Sequence, residues 1–505
     1  MSSRLRAYRS IGVALVGLST LLTAWAISSP PRSTPDEILH IANIWCAEEL
    51  DSRACLEKSL NESGELIGTF GYSPPSCFWR KPTLPANCGE STGESSSFFL
   101  LQSGSYYHPG FQKVMHQFVD NDGPISILRM KLFNVSIFAA LSLIVLLYLP
   151  VVLARSWLTA LAVTVSPFSI SLIASINPSG WGITGVAMVW VLLTFVIFHV
   201  RSQRGIRPVS RLPMAAAVIG LFVATFMSFQ ARRDVMLFAL AVTAVTGFFE
   251  VITPLLGRLE TRIKRIAIAV GGPIVLVVVG LAAQRGVFGF AFRSELQALS
   301  PNGPTVSVWF TNWITHFPAV FLDAYGASGL GVQDVVISKL VMIVSIIVVG
   351  GIVMFASQHG SMRQLSSAVL LAFSFVAILW FASIELDLYN VPGRYVMPLF
   401  PVIIGTYVYY SRSPVQFFDI LRLRYIAIGL LGIANALGLY AVIERHSAGS
   451  SAGIRVIPVR FDEWWWSFLP VGPNGVVVLG SVGWVVFLVY AFRLLDERKE
   501  REVTR

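Results

Sequence analysis

Long apolar runs separated by short polar segments dominate the pattern along this chain. A run of roughly 17–25 apolar residues is long enough to cross a bilayer as a helix. Three longer polar segments, 29–132, 285–335 and 444–473, interrupt the series. The pattern predicts an all-α polytopic membrane protein in which residues 1–505 form a single transmembrane domain. Its twelve predicted spans are 11–28, 133–153, 157–175, 181–200, 212–229, 235–254, 266–284, 336–356, 365–384, 395–411, 425–443 and 474–492.

The composition agrees with this interpretation. The chain is 54% hydrophobic and 13% charged, whereas a soluble protein carries about 25% charged residues. Its mean hydropathy is +0.67. Apolar runs recur from end to end, so a separate soluble domain is not expected.

The distribution of charge predicts the topology. Arg4, Arg6 and Arg9 precede the first apolar run. If that terminus is cytoplasmic, the inward segments hold more than half of the 38 Lys and Arg residues and a quarter of the 28 Asp and Glu residues. This is the positive-inside bias that orients membrane proteins.

We therefore expect a multi-pass plasma-membrane protein with both termini in the cytoplasm and the three long segments outside. The net charge of +10 follows from this topology. Attraction to anionic lipid head groups is secondary, and nucleic acid is not expected as a partner. Ala24-Trp25-Ala26 resembles a signal-peptide cleavage site, but the apolar run is long for a signal peptide and favours an uncleaved first span.

All four cysteines lie in the first long outward segment. Confinement to the oxidising side of the membrane favours two disulfides, and the spacing fits no CxxC zinc site. Four cysteines allow three pairings, and the sequence does not choose among them. The predicted disulfide-bonded loop contains Cys46, Cys55, Cys77 and Cys88.

Polar residues gather where predicted spans end on the outward side, and almost no charge lies inside the spans. Such residues near a membrane domain are usually functional. Because every one of these positions follows an outward end, we expect them to share one surface. The candidates are Asp36, Glu37, Asn177, Arg232, Arg233, Asp234, Arg394 and Tyr395.

This set suits sugar transfer from a lipid phosphate. A carboxylate can deprotonate the acceptor hydroxyl, and we assign that role to Asp36 with Glu37 as its partner. Arginine forks match phosphate geometry, so Arg232, Arg233 and Arg394 are predicted to hold the donor phosphate. Both groups also have structural alternatives. The two acids could begin a helix, where negative charge interacts favourably with the helix dipole. The arginines could extend to lipid head groups.

Further substrate contacts are predicted around this core. His40 follows the acids on one helical face. It could bind the acceptor or a metal, although a structural hydrogen bond is the simpler interpretation. Asn177, Asp234 and Tyr395 share the expected surface, although Asp234 could serve only to neutralise its neighbouring arginines. Tyr107 and His108 could stack on a sugar or pack beneath the loop. Trp464-Trp465-Trp466 is interpreted as an interfacial anchor, with acceptor binding as the alternative.

The stretches PDEILH, NPSGWGI and GRYVMPLFP resemble the hallmarks of a bacterial membrane-protein family known as domain of unknown function 2142. The placement of the PDE motif after span one resembles the GT-C superfamily of membrane glycosyltransferases. That resemblance implies a catalytic acid in the first outward loop, at Asp36 and Glu37, a polyprenyl-phosphate sugar donor, and a donor-phosphate contact at Arg394. The cysteine-rich insert departs from the family pattern.

The sequence thus predicts an extracytoplasmic glycosyltransferase that moves a sugar from a polyprenyl-phosphate donor to a cell-envelope glycan, lipid or protein. No cofactor is required by the sequence, and the use of a divalent metal is left open. The alternatives are a transporter or flippase of a lipid-linked envelope precursor, suggested by the twelve spans, and a non-catalytic envelope scaffold that presents the cysteine-rich loop.

Overall fold

The computed structural model describes most of the predicted membrane domain. All statements below concern the described ranges, which are 3–47, 78, 81–86, 88, 108–120, 122–202, 211–255, 322–326, 329–330, 335–358, 360–385, 393–412, 416–449, 464–466 and 468–503.

The described residues fold into α-helices joined by short turns. Three 3₁₀ turns, Gly393–Tyr395, Met397–Leu399 and Phe417–Asp419, and one π-helical turn, Phe248–Ile252, interrupt the series. The helices of seven or more residues are α1 Ser3–Ser28, α2 Glu37–Trp45, α3 Pro109–His116, α4 Gly123–Tyr148, α5 Val151–Thr164, α6 Pro167–Ile173, α7 Pro178–Ser202, α8 Arg211–Ala231, α9 Arg233–Gly247, α10 Lys339–Ser357, α11 Met362–Glu385, α12 Phe400–Tyr409, α13 Leu421–Ala448 and α14 Pro473–Val503.

Eight of the described helices are long and apolar enough to span a membrane, and a ninth span results if the bent pair α5–α6 is counted as one. The all-α polytopic architecture is therefore confirmed, and the chain is a multi-pass membrane protein. The predicted span 266–284 lies outside the described residues, as does most of the predicted loop 285–335. The total of twelve spans stays a prediction.

Two predicted spans differ from the continuous helices expected. Residues 157–175 fall on α5 and α6, which meet at an angle of 104°. Ser166 caps α6 by accepting from the Ser169 backbone N–H at 3.3 Å, and Pro167 follows in the first turn, where its missing donor costs nothing. Residues 395–411 contain 3₁₀ turns before the short helix α12. Hydropathy alone detects neither break.

The two terminal spans pack directly against each other. Glycines allow α1 and α14 to approach closely, as small residues do at helix interfaces in membranes. A Cβ added at Gly17 would lie 2.7 Å from the backbone nitrogen of Phe487, and one at Gly483 would lie 2.8 Å from the carbonyl oxygen of Gly17. Backbone atoms cannot rotate away as side chains can, so this interface requires glycine.

Ion pairs tie together the helix ends opposite Asp36. Arg155 of α5 binds both Asp419 and Asp496, and Arg424 of α13 binds Asp496 at 2.6 Å. All four residues were assigned to the cytoplasmic side by the charge pattern, and the structure joins them at one end of the bundle. We call this end the Arg155 end.

The described part of the cysteine-containing loop docks on the C-terminal end of α13. Arg445, which is buried, donates to the carbonyl oxygens of Leu84 at 2.8 Å, Phe78 at 3.0 Å and Lys81 at 3.2 Å. Cys46 and Cys88 are both disulfide-bonded. Cys55 and Cys77 lie outside the described residues, so the pairing of the four cysteines stays open.

The tryptophan run packs inside the protein, which differs from the interfacial anchoring expected. Trp464 and Trp466 are buried, and the Trp466 indole donates to the carbonyl oxygen of Ile27 at 2.8 Å. Trp465 packs edge-on against His446. The run fastens the α13–α14 connection to the end of α1, a partner far away in sequence.

Substitution of Gly17 by alanine tests the α1–α14 contact. The added methyl group would meet the Phe487 backbone, so we expect Gly17→Ala to lower the stability of the detergent-purified protein by about 1–3 kcal/mol. Gly12 lies on the same helix with no atom within 4 Å of an added Cβ. Gly12→Ala should leave the thermal midpoint unchanged or raise it, because alanine favours helix. Equal midpoints for the two variants would contradict the packing described.

Candidate functional site

Asp36 lies in a tight turn between α1 and α2. Its φ is +57°, in the left-handed region that costs an L-residue about 1–2 kcal/mol and that Asp and Asn tolerate better than most. The Glu37 carboxylate accepts from the Thr34 backbone N–H at 3.1 Å, and the Glu37 backbone N–H donates to the Thr34 carbonyl oxygen at 3.2 Å. This reciprocal pair closes the turn and sets the direction of Asp36.

A buried lysine holds the same turn from α4. Lys131 Nζ lies 3.6 Å from Glu37 Oε1, with both side chains fully buried. The same ammonium donates to the carbonyl oxygen of Ser29 at 2.9 Å and to its hydroxyl at 3.1 Å. The structure therefore places Glu37 in a buried ion pair that ties α2 to α4, while its neighbour Asp36 points elsewhere.

Asp36 forms an ion pair with Arg394. Arg394 Nη2 donates to Asp36 Oδ2 at 2.9 Å. The Arg394 side chain is 17% exposed and the Asp36 side chain is 30% exposed. Arg394 follows Gly393, whose backbone N–H donates to Asp323 Oδ2 at 2.6 Å. A Cβ at position 393 would lie 2.5 Å from the backbone of Ala324. Glycine is thus required for the turn that presents Arg394.

Arg232 is engaged inside the protein. It makes a two-pronged contact with Asp234, with Nε donating to Oδ1 at 3.0 Å and Nη2 donating to Oδ2 at 2.9 Å. Nη1 donates to the Ser179 hydroxyl at 2.7 Å, and the guanidinium carbon lies 3.9 Å from the centre of the Tyr395 ring. All four side chains are buried. Arg232 thus connects the turn before α9 to the start of α7 and to Tyr395.

The Tyr395 ring also lies beneath Arg394, 5.4 Å from its guanidinium carbon. Since one ring contacts both guanidiniums, it links the exposed arginine to the buried one. An aromatic face attracts cations, so the Tyr395 ring contacts both guanidinium groups favourably. The 3₁₀ turn Gly393–Tyr395 presents the two neighbouring side chains together.

Asn177 connects the start of α7 to the Asp36 turn. Its Oδ1 accepts from the Ser179 backbone N–H at 2.8 Å, which caps the helix, and its Nδ2 donates to the carbonyl oxygen of Pro35. The outward ends predicted to share one surface are therefore in contact with one another. We call this end of the bundle the Asp36 end.

His40 lies one helical turn beyond Asp36 and is buried. Burial lowers the pKa of His40 to about 4, with Arg394 and Arg232 acting in the same direction and Asp36 opposing them. The imidazole is therefore neutral at neutral pH. It packs edge-on against Phe111 of α3, at a centroid distance of 6.3 Å. In this structure His40 contributes to docking α3.

His108 precedes α3 and lies near Arg233. Burial lowers the pKa of His108, and the positive charge of Arg233 lowers it further. Arg233 itself begins α9 and is half-buried. Tyr107, the other predicted stacking residue of this segment, lies outside the described residues.

Three residues of this end were not among the sequence candidates, namely Lys131, Ser179 and Asp323. A lysine near the start of an apolar helix is a detectable signal, because it needs a partner when buried. The order Thr34-Pro35-Asp36-Glu37 also matches the spacing of a helix capping box, which would have assigned Glu37 a structural contact. Within the described residues no group of three or more His, Cys, Asp or Glu side chains could hold a metal ion.

The low pKa of His40 predicts a pH-dependent stability. The unfolded imidazole has a pKa near 6.5 and the folded one about 4, so the unfolded chain binds more protons between these values. The contribution of His40 to the free energy of unfolding is highest above pH 6.5 and decreases by about 3 kcal/mol as the pH falls to 4. We expect the thermal midpoint of the wild type to fall over this interval more steeply than that of His40→Gln. Parallel curves for the two proteins would contradict the burial of a neutral His40.

The Lys131–Glu37 pair predicts a large penalty for removing one partner. Lys131→Met leaves Glu37 charged and buried, so we expect a loss of about 3–5 kcal/mol, measured as a lower thermal midpoint. In the Lys131→Met, Glu37→Gln double variant the loss should be smaller than the sum of the single losses.

Arg129 on the same helix provides a matched control. It pairs with Asp120 at 3.0 Å, but both side chains are about half exposed. Exposed pairs contribute about 0–1 kcal/mol, so Arg129→Met should change the midpoint little. Equal losses for Lys131→Met and Arg129→Met would show that the Lys131 pair is not buried.

Comparison with known proteins places the chain in a family. No curated protein and no solved structure matches it. A family model described as "Predicted membrane protein (DUF2142)" matches residues 20–403. The match includes every residue from Asp36 to Tyr395 that forms the Asp36 end. The chain belongs to this DUF2142 family of predicted membrane proteins.

Proposed function

We propose that the protein is a GT-C type glycosyltransferase that transfers a sugar from a polyprenyl-phosphate donor to a cell-envelope acceptor on the outer face of the membrane. The observation that carries this proposal is the contact between Asp36 and Arg394. A carboxylate and a guanidinium, both partly exposed, are the two groups that such a transfer needs. Membership of a family of membrane proteins supports a substrate that lies in the bilayer.

In the proposed step, an acceptor hydroxyl oxygen attacks the anomeric carbon of the donor sugar. The bond from that carbon to the phosphate oxygen breaks, and its electron pair stays on the lipid phosphate. The hydroxyl proton passes to the Asp36 carboxylate, which acts as the general base. Positive charge beside the departing phosphate stabilises its developing negative charge.

Arg394 is the best supported phosphate ligand of the three arginines. Its side chain is partly exposed, and guanidinium binds phosphate through two parallel hydrogen bonds. Arg232 is fully buried and bound to Asp234 and Ser179, so we assign it to positioning Tyr395. Arg233, half-buried on the same turn, is assigned a supporting charge.

We assign the acceptor side to the part of the first long loop, 29–132, that follows Asp36 and precedes α3. In this proposal its cysteines form two disulfides and the half-buried His108 lines the approach, while the buried His40 supports the site from beneath by packing on Phe111. The docking of Phe78 and Leu84 carbonyl oxygens on Arg445 supports a loop that packs against the membrane domain. That arrangement suits selection of the acceptor.

The proposal predicts that Asp36→Asn abolishes transfer. Asparagine also tolerates the left-handed backbone, so the variant removes the charge without adding strain. We expect transfer from a radiolabelled polyprenyl-phosphate sugar, in membranes that overexpress the protein, to fall at least about 100-fold. Wild type and variant are compared at equal folded abundance.

Asp120→Asn is the control, since Asp120 is an exposed acid that pairs with Arg129. It should transfer at the wild-type rate. Full activity of Asp36→Asn would exclude Asp36 as the base. Glu37→Gln is a weaker test, because the buried pair with Lys131 makes any loss of activity a possible loss of folding.

A lipid transporter is the second candidate, and the bent pair α5–α6 favours it. Discontinuous helices form the binding sites of many transporters, and the 104° bend lies between two apolar helices. Flipping of a labelled lipid in proteoliposomes without a glycosidic product would select this function. Transfer that depends on Asp36 would select the glycosyltransferase.

A further inference from the structure

Asp36 and Arg394 block each other in the structure described. The hydrogen bond from Arg394 Nη2 to Asp36 Oδ2 is 2.9 Å long. The Asp36 oxygen that accepts this hydrogen bond is occupied by the guanidinium and faces Arg394 instead of an acceptor hydroxyl. The same contact neutralises the positive charge of Arg394, which a phosphate would otherwise bind. The two groups can act only after they separate.

We propose that the phosphate of the donor displaces Asp36 from Arg394, so that the base is released only when a donor is bound. This inference rests on the proposed function and adds the regulation of the same site. The incoming phosphate exchanges one anionic partner of Arg394 for another. The released Asp36 carboxylate then accepts the proton of the acceptor hydroxyl.

The surroundings of the pair permit this exchange. The backbone at Arg394 is held because the Gly393 N–H binds Asp323, and the Asp36 turn is held by Glu37 and Lys131. Side-chain rotation alone therefore separates the two groups. Their partial exposure keeps the pair weak and leaves room for an anion to approach.

The buried arginine of the same end shows the opposite arrangement. Arg232 is fully buried and uses its guanidinium on Asp234 and Ser179 at 2.7–3.0 Å. Releasing it would leave a buried carboxylate without its partner, which is costly. Arg394 is thus suited to exchange its partner, and Arg232 is suited to stay in place.

Exchange has a thermodynamic consequence that can be measured. If phosphate must break the ion pair, part of its binding energy is used to do so. Binding and ion pairing are then linked and oppose each other. Removing the Asp36 charge should therefore strengthen phosphate binding, although it abolishes transfer.

The test is a titration of the full-length protein in nanodiscs with undecaprenyl phosphate. We compare wild type, Asp36→Asn, Arg394→Gln and the double variant. Asp36→Asn should bind about two- to five-fold more tightly than wild type, as expected for loss of a partly exposed pair. Arg394→Gln should bind more weakly, and in that background Asp36→Asn should have no effect. Asp120→Asn controls for a general loss of negative charge and should bind like the wild type.

Two results would overturn the exchange. Unchanged or weaker binding by Asp36→Asn would show that Arg394 holds both partners together. Tighter binding that persists in the Arg394→Gln background would show plain repulsion between Asp36 and phosphate. The thermal midpoint of each variant shows whether it is folded. If Arg394→Gln does not fold, Arg394→Lys takes its place in the comparison.

Further measurements distinguish a failure of this inference from a failure of the proposed function. Inorganic phosphate, titrated in parallel, should bind at least ten-fold more weakly than the lipid, and the reverse order would exclude a lipid donor. No binding of the lipid by the wild type would overturn the proposed function and the exchange together. Transfer that requires Asp36, with no gain in affinity for Asp36→Asn, would overturn the exchange alone.

Discussion

The pairing of the buried charges of Lys131 and Arg232 is the constraint on which the Asp36 end depends. Removing an ion from water costs several kcal/mol, and only a close partner with added hydrogen bonds compensates. Lys131 and Glu37 meet that requirement and join α4 to α2. Arg232 meets it with its neighbour Asp234 and also donates to Ser179 of α7. Satisfying these charges therefore also fixes the relative positions of the helices.

The partly exposed pair of Asp36 and Arg394 lies between two rigidly held backbone segments. Asp36 keeps a left-handed backbone because Thr34 and Glu37 close the turn around it. Arg394 keeps its place because glycine 393 fits against the backbone of Ala324. The backbone is thus fixed on both sides while the two charged groups remain reachable from solvent. A site for a charged, membrane-held substrate needs both properties.

Local sequence patterns predicted the helices well and predicted the tertiary contacts of individual side chains poorly. Hydropathy located the eight long spans, since burial in lipid requires long apolar helices. Polar residues at outward ends predicted which side chains would meet, because alternating spans return the chain to one face. The bend before Pro167, the partner of Lys131 and the burial of Trp466 depend on tertiary contacts. Periodicity carries no information about such contacts.

The three hallmark stretches of the sequence form one cluster in space. PDEILH contributes Asp36, GRYVMPLFP contributes Arg394, and NPSGWGI is joined to the first by Asn177 at the carbonyl oxygen of Pro35. All three lie within the family match of residues 20–403, whereas α13 and α14 lie beyond it. The part of the chain that matches the family therefore contains the complete Asp36 end, although α14 supplies the glycine interface for α1. This distribution favours a function located at the Asp36 end, whose charged side chains all lie within the match, over one that depends on α13 and α14.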